Sequence, residues 1–144
     1  MKIKSKHIEQ FKNALKKEGL KFTDQRFIVF KTLLTNEGHF DCEDIIGMIK
    51  EKKQKVSRAT IYRTLDILVK YNFARKLVLD DGIARYENKL STDHHDHMID
   101  IETNEIIEFY SEELEKLQDD IADKFGYKIV KHIHQLFVKK KNNK

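Results

Sequence analysis

The sequence predicts an α+β chain of two lobes, an N-terminal helical lobe closed by a small hairpin and a shorter C-terminal α/β lobe. Three observations carry this prediction. Four capped segments with helical apolar spacing precede residue 73, two short strand-like runs flank the turn "DDG", and the charge changes sign along the chain. Residues 1 to 90 hold 20 Lys and Arg against 12 Asp and Glu, whereas residues 91 to 144 hold 8 against 12. At 144 residues there is room for one modest core, or for two small ones that support each other or a partner chain.

The first helix is expected over residues 5 to 18, with Ile8, Phe11 and Leu15 on one face and a stop at Gly19. A second starts after the cap Thr23, buries Phe27, Phe30, Leu33 and Leu34, and breaks at "TNEG". The third follows Asp41, with Glu43 and Asp44 in its first turn, where the helix dipole favours acids, and Ile45, Met48 and Ile49 inward. Ser57 begins the fourth, which runs to about Tyr71 with Ile61, Leu65, Leu68 and Val69 inward and Arg58, Thr60, Tyr62 and Arg63 on the other face. "FARKLVL" and "ARYEN" then form a hairpin around "DDG", so residues 1 to 88 read as a winged helix-turn-helix, followed by a hinge over 89 to 93.

In the second lobe, residues 94 to 144, "HMIDI" and "EIIEF" are strand-like pieces around "ETN". Ser111 caps a helix with Leu114, Leu117, Ile121 and Phe125 along one side, closed by Gly126. In "YKIVKHIHQLFV", Tyr127, Ile129, Ile133 and Phe137 alternate as in a strand, and the tail "KKKNNK" is expected to be disordered. A strand-rich fragment this small needs help to be stable, and pairing with its own copy is the expected solution.

Composition narrows the function. No apolar run approaches a membrane span and no signal-peptide stretch follows the charged "MKIKSKHIEQF", so a cytoplasmic protein is expected. Cys42 is the one cysteine, which rules out an internal disulfide framework and a four-cysteine zinc knot, and leaves nitrogen and oxygen to hold any metal. The basic first lobe points to a polyanion and the acidic, histidine-rich second lobe to cations.

The second expectation rests on "DHHDHMI", which packs three of the seven histidines into four positions. On an extended backbone His94 and Asp96 fall on one face and His95 and His97 on the other, so two sites follow more easily than one. A divalent first-row ion takes four to six donors, and His39, Glu87, Glu108, Glu115 and His132 are further candidates. His134 shares a strand face with His132, and His7 reads as an ordinary surface residue.

From "LKKEGLKFTDQR" through "GHFDCEDI", "VSRATIYRTLDIL", "ARYEN" and "HHDHMI" to "EIIEFY" and "KHIHQLFV", the chain resembles the ferric uptake regulator family of metal-dependent repressors. That resemblance implies a DNA-binding winged helix, a C-terminal dimerisation domain and metal at their junction. Carried over, the regulatory site is His39, Glu87, His95, His97 and Glu108, and a second site is His94, Asp96, Glu115 and His132. Many relatives hold a structural zinc with a Cys-x-x-Cys pair, and here Asp100 and Thr103 stand in its place.

The expected function is therefore a metal-dependent repressor of metal homeostasis, not an enzyme. Its expected partners are double-stranded operator DNA and a second copy of itself, or a larger assembly of copies. The DNA-contacting residues would be Lys21, Ser57, Arg58, Thr60, Tyr62 and Arg63, with Lys21 near the minor groove by resemblance and the fourth helix in the major groove. Imidazoles and carboxylates without thiolate suit Fe(II), Mn(II), Co(II) or Zn(II); five or more donors, and the resemblance, favour Fe(II). Peroxide-, manganese- and zinc-responsive regulation are alternatives within the family, with Glu87 and Glu108 counting against peroxide sensing, whose relatives typically offer aspartates. A small metal-dependent hydrolase is the alternative of a different class.

Overall fold

The structure, a computed structural model, describes residues 1–90 and 95–142; Ser91, Thr92 and Asp93 of the expected hinge, His94, and the last two residues of the tail lie outside the described residues. It forms two compact units, Met1–Val78 with Gly82–Asp93, and Leu79–Asp81 with His94–Lys144.

The first unit contains α1 (Ser5–Lys17), α2 (Asp24–Thr35), α3 (Cys42–Glu51), α4 (Arg58–Lys70), β1 (Ala74–Val78) and β2 (Ala84–Asn88). Each helix after the first starts at the cap its sequence announces. Thr23 accepts from the Arg26 amide at 3.2 Å, Asp41 and Asp44 exchange side-chain to backbone bonds at 2.8 and 3.0 Å, and Ser57 accepts from the Thr60 amide at 3.2 Å. α1 ends where Gly19 takes a φ of +70° and lets the Leu20 amide reach back to the Leu15 carbonyl at 2.9 Å.

Phe11 and Phe30 stack with centroids 4.3 Å apart, and Phe73 meets both edge-on. Leu33, Ile45, Ile49, Ile61, Leu65 and Leu68 close the core around them. β1 and β2 pair antiparallel from Ala74 opposite Asn88 to Val78 opposite Ala84. Phe40, between α2 and α3, adds a two-bond bridge to Tyr86 on β2, at 2.9 and 2.7 Å.

The second unit contains β3 (Asp96–Asp100), β4 (Ile106–Phe109), α5 (Glu112–Lys124) and β5 (Gln135–Val138), in a three-stranded sheet of order β4-β3-β5. β4 runs antiparallel and β5 parallel to the central β3. The final strand is shorter than the alternation in "YKIVKHIHQLFV" suggests, since pairing begins only at Gln135. Alternation marks which faces a strand would have, but a ladder needs a partner edge, and β3 pairs with this segment only from His97 to Asp100. His132 therefore lies ahead of the strand rather than on it.

The turn after β3 is closed by Asp100, whose carboxylate accepts the amides of Glu102 at 2.9 Å and Thr103 at 3.4 Å. Asp100 and Thr103 stand where relatives were expected to carry thiols, and here hydrogen bonds shape the turn. Asn104 completes it with a φ of +61°.

Candidate metal centres and nucleic-acid interface

The expected ligands are set in place by strand pairing. Because Phe40 pairs antiparallel with Tyr86, the residue before it, His39, is brought beside the residue after Tyr86, Glu87. His39 Nε2 lies 3.0 Å from a Glu87 carboxylate oxygen, and Arg75 Nη1 lies 3.7 Å from the other oxygen. The first unit thus presents an imidazole and a buried carboxylate side by side.

In the second unit His97 is the partner of Glu108 across β3 and β4. His95 precedes it by two residues on the same face, with ring centroids 4.7 Å apart, and its Nε2 is 3.4 Å from the Glu108 carboxylate. Asp96 points the other way. Its carboxylate, 2% exposed, is 3.0 Å from His132 Nε2, which is in turn 3.5 Å from Glu115 in the first turns of α5. One ligand atom from each of Asp96, Glu115 and His132 falls within 4.8 Å of the others. Two carboxylates facing one imidazole form a hard, borderline donor set that suits a divalent first-row ion. His94, the expected fourth donor, lies outside the described residues. His134 is turned edge-on to Phe109, 6.2 Å between ring centroids, and His7 caps α1 by accepting the Lys4 amide. Burial, with Lys6 and Lys4 adding to it, lowers the His7 pKa.

Of the residues expected to contact nucleic acid, Arg58, Thr60, Tyr62 and Arg63 lie on α4 and Ser57 caps it. Ser57, Arg58, Tyr62 and Arg63 are exposed, as is Lys21, whose carbonyl accepts from Arg26 Nη1 at 2.6 Å. Thr60 is half-buried, its hydroxyl accepting a 2.9 Å bond from Ser57 that joins it to the helix cap. Two residues of α3 not singled out for this surface adjoin it. Glu43 pairs with Arg58, which lowers the glutamate's pKa and raises the arginine's. The buried Cys42 thiol, raised mainly by desolvation, neighbours Tyr62 and helps push that phenol up. Glu43 carried a signal only for a helix start and Cys42 none for this surface, because their nearness to α4 depends on the helix crossing.

The profile of the Ferric uptake regulator family matches residues 17–137. A ferric uptake regulation protein of Campylobacter upsaliensis is 37% identical over 132 residues, spanning 90% of this chain and 84% of the relative. Among solved structures, the ferric uptake regulator of Pseudomonas aeruginosa with manganese superposes with a TM-score of 0.79 at 34% identity, covering 91% of this chain and 98% of that one. The Helicobacter pylori ferric uptake regulator, described as having three functional metal binding sites, gives 0.78 at 34% identity, covering 93% and 89%. A match over most of the chain, on a fold that holds a winged helix and paired histidines and carboxylates, leads to one conclusion: the chain belongs to the ferric uptake regulator family of metal-dependent transcriptional regulators.

Proposed function

We propose that the chain is an Fe(II)-responsive repressor in which one ion is shared by His39 and Glu87 of the winged-helix unit and His95, His97 and Glu108 of the second unit. The observation that carries this reading is that each unit already assembles its own share of the ligands: His39 lies 3.0 Å from Glu87, and His95 lies 3.4 Å from Glu108 with His97 alongside. An ion bound to both shares neutralises the two carboxylates. The form so held binds operator DNA more tightly by the ion's differential affinity for it. Five nitrogen and oxygen donors favour an octahedral ion over tetrahedral zinc, although intrinsic affinity rises toward zinc. The relatives' name, ferric uptake regulation, supports the same choice.

His94, Asp96, Glu115 and His132 would form a second site that braces α5 against the sheet. The DNA-reading element is α4, with Tyr62 against a thymine methyl, Arg63 on a phosphate or guanine edge, and Lys21 in the minor groove. The protein acts as a homodimer. α5 has no buried residue, and Leu117, Ile121, Phe125, Val130, Ile133 and Phe137 are exposed, an apolar surface larger than a solitary small domain sustains. A copy of the same unit would cover it.

Footprinting on genomic fragments under anaerobic conditions, with Fe(II), Mn(II) and Zn(II) in turn and with chelator at constant salt, tests the reading. Protection that appears with Fe(II) and disappears with chelator is expected. Protection that is indifferent to chelator would overturn the shared-ion reading.

A further inference from the structure

Glu43, in the first turn of α3, and Arg58, the first residue of α4, meet in a forked contact. Arg58 Nη1 bonds to Glu43 Oε1, and Nη2 lies 3.3 Å from Oε2. Their side chains are 59% and 66% exposed, for Arg58 and Glu43 respectively, so the pair is no part of the core. Exposed pairs of this kind contribute little to folding, and the packing of α3 on α4 rests on buried Ile45, Ile49, Ile61 and Leu65. One turn beyond Arg58 on α4, Tyr62 is 50% exposed. The carboxylate therefore sits against the strip of α4 that reads DNA, and it occupies one of that strip's cations.

We propose that Glu43 is a selectivity residue for DNA: it keeps the Arg58 guanidinium neutralised on non-operator duplex and yields it only to an acceptor that the correct sequence presents to a fully seated α4. The inference rests on the reading of α4 as the groove-entering helix. Non-specific affinity comes almost wholly from neutralised phosphates, and each added contact steepens the salt dependence by about 0.9. Arg58 held by Glu43 does not count toward that total. On the operator, a guanine edge or a phosphate in fixed register offers the planar guanidinium a two-bond partner equal to the one it leaves. Glu43 thus weakens binding to wrong sequences more than to the right one, which is how a repulsive group confers specificity.

The test uses the full chain loaded with Mn(II) and two duplexes: the one the unaltered protein enriches most from a random-sequence library, and a scrambled version of it. Affinities are measured between about 50 and 200 mM salt, the range over which phosphate contacts are felt. Glu43→Gln keeps the shape and removes the charge. It should steepen the salt slope on the scrambled duplex by about 0.9 for each protomer that contacts it, an extra loss of roughly 3.5-fold in affinity per protomer between 50 and 200 mM salt. The selected duplex should gain less, so the ratio between the two falls. Glu43→Asp should restore much of the ratio, and the slope change should vanish in an Arg58→Ala background. Affinity and slope on scrambled duplex equal to those of the unaltered protein would overturn the inference while leaving the DNA reading intact. A gain that persists without Arg58 would do the same. Failure of the unaltered protein to enrich any duplex would overturn both.

Discussion

Replacing Asp96 by Asn tests whether the cluster on the far face of β3 binds an ion. Asp96 is one of three described donors whose ligand atoms lie within 4.8 Å of one another, and its carboxylate is 3.0 Å from His132. The amide keeps the shape and removes the anionic donor. An ion at about 100 times its dissociation constant stabilises the folded chain by about 2.7 kcal/mol. If loss of the donor weakens binding about 10- to 100-fold, as even outer-shell changes commonly do, the same concentration supplies about 0.4 to 1.4 kcal/mol. The deficit is about 1.3 to 2.3 kcal/mol, or about 3 to 9 °C in melting temperature for a chain of this size. Melting followed by circular dichroism, with Mn(II) and then with chelator, gives the ion-induced shift for each protein. Stabilisation from any other site enters both proteins equally and cancels in the difference of shifts. An Asp96→Asn protein that gains as much from Mn(II) as its parent across a titration would refute the assignment.

Three further outcomes are expected. Phe30→Ala removes the ring stacked on Phe11 at 4.3 Å and should cost about 3 to 5 kcal/mol, read as a lower urea midpoint. Ser57→Ala deletes the acceptor of the Thr60 amide at the start of α4; it should cost about 1 kcal/mol in the same assay and weaken operator binding by fraying the turn that holds Arg58. Asp100 has its pKa lowered below 3.8, chiefly by the Glu102 amide and further by that of Thr103. A carboxylate depressed in the folded state stabilises above its unfolded pKa and loses that contribution as pH falls through the folded value. The stability advantage of the parent over Asp100→Asn should therefore be present at neutral pH and shrink below about pH 4, measured by urea midpoints across the range.

Local signals in this chain carry far. Thr23, Asp41, Ser57 and Ser111 each accept the amide three residues on, because a short oxygen-bearing side chain at that place satisfies a donor the helix cannot. The reading of two short strands around "DDG" corresponds to β1 and β2 because a hairpin closes locally. Strand alternation likewise separates Asp96 from His95 and His97, since successive side chains on extended backbone must face opposite ways.

Non-local pairings were not legible in this way. Nothing in "GHF" announces that Phe40 pairs with Tyr86 across more than 40 residues, and without that bridge His39 has no reason to meet Glu87. The length of β5 depended on how much of β3 was available to pair, and the Glu43–Arg58 contact on how α3 crosses α4. Sequence alone determined the caps, the turns, the face of each strand and the supply of nitrogen and oxygen donors, because these follow from interactions within a few residues. The tertiary fold alone decided which donors stand within reach of one another and which cation is already occupied, because those depend on the packing of distant segments.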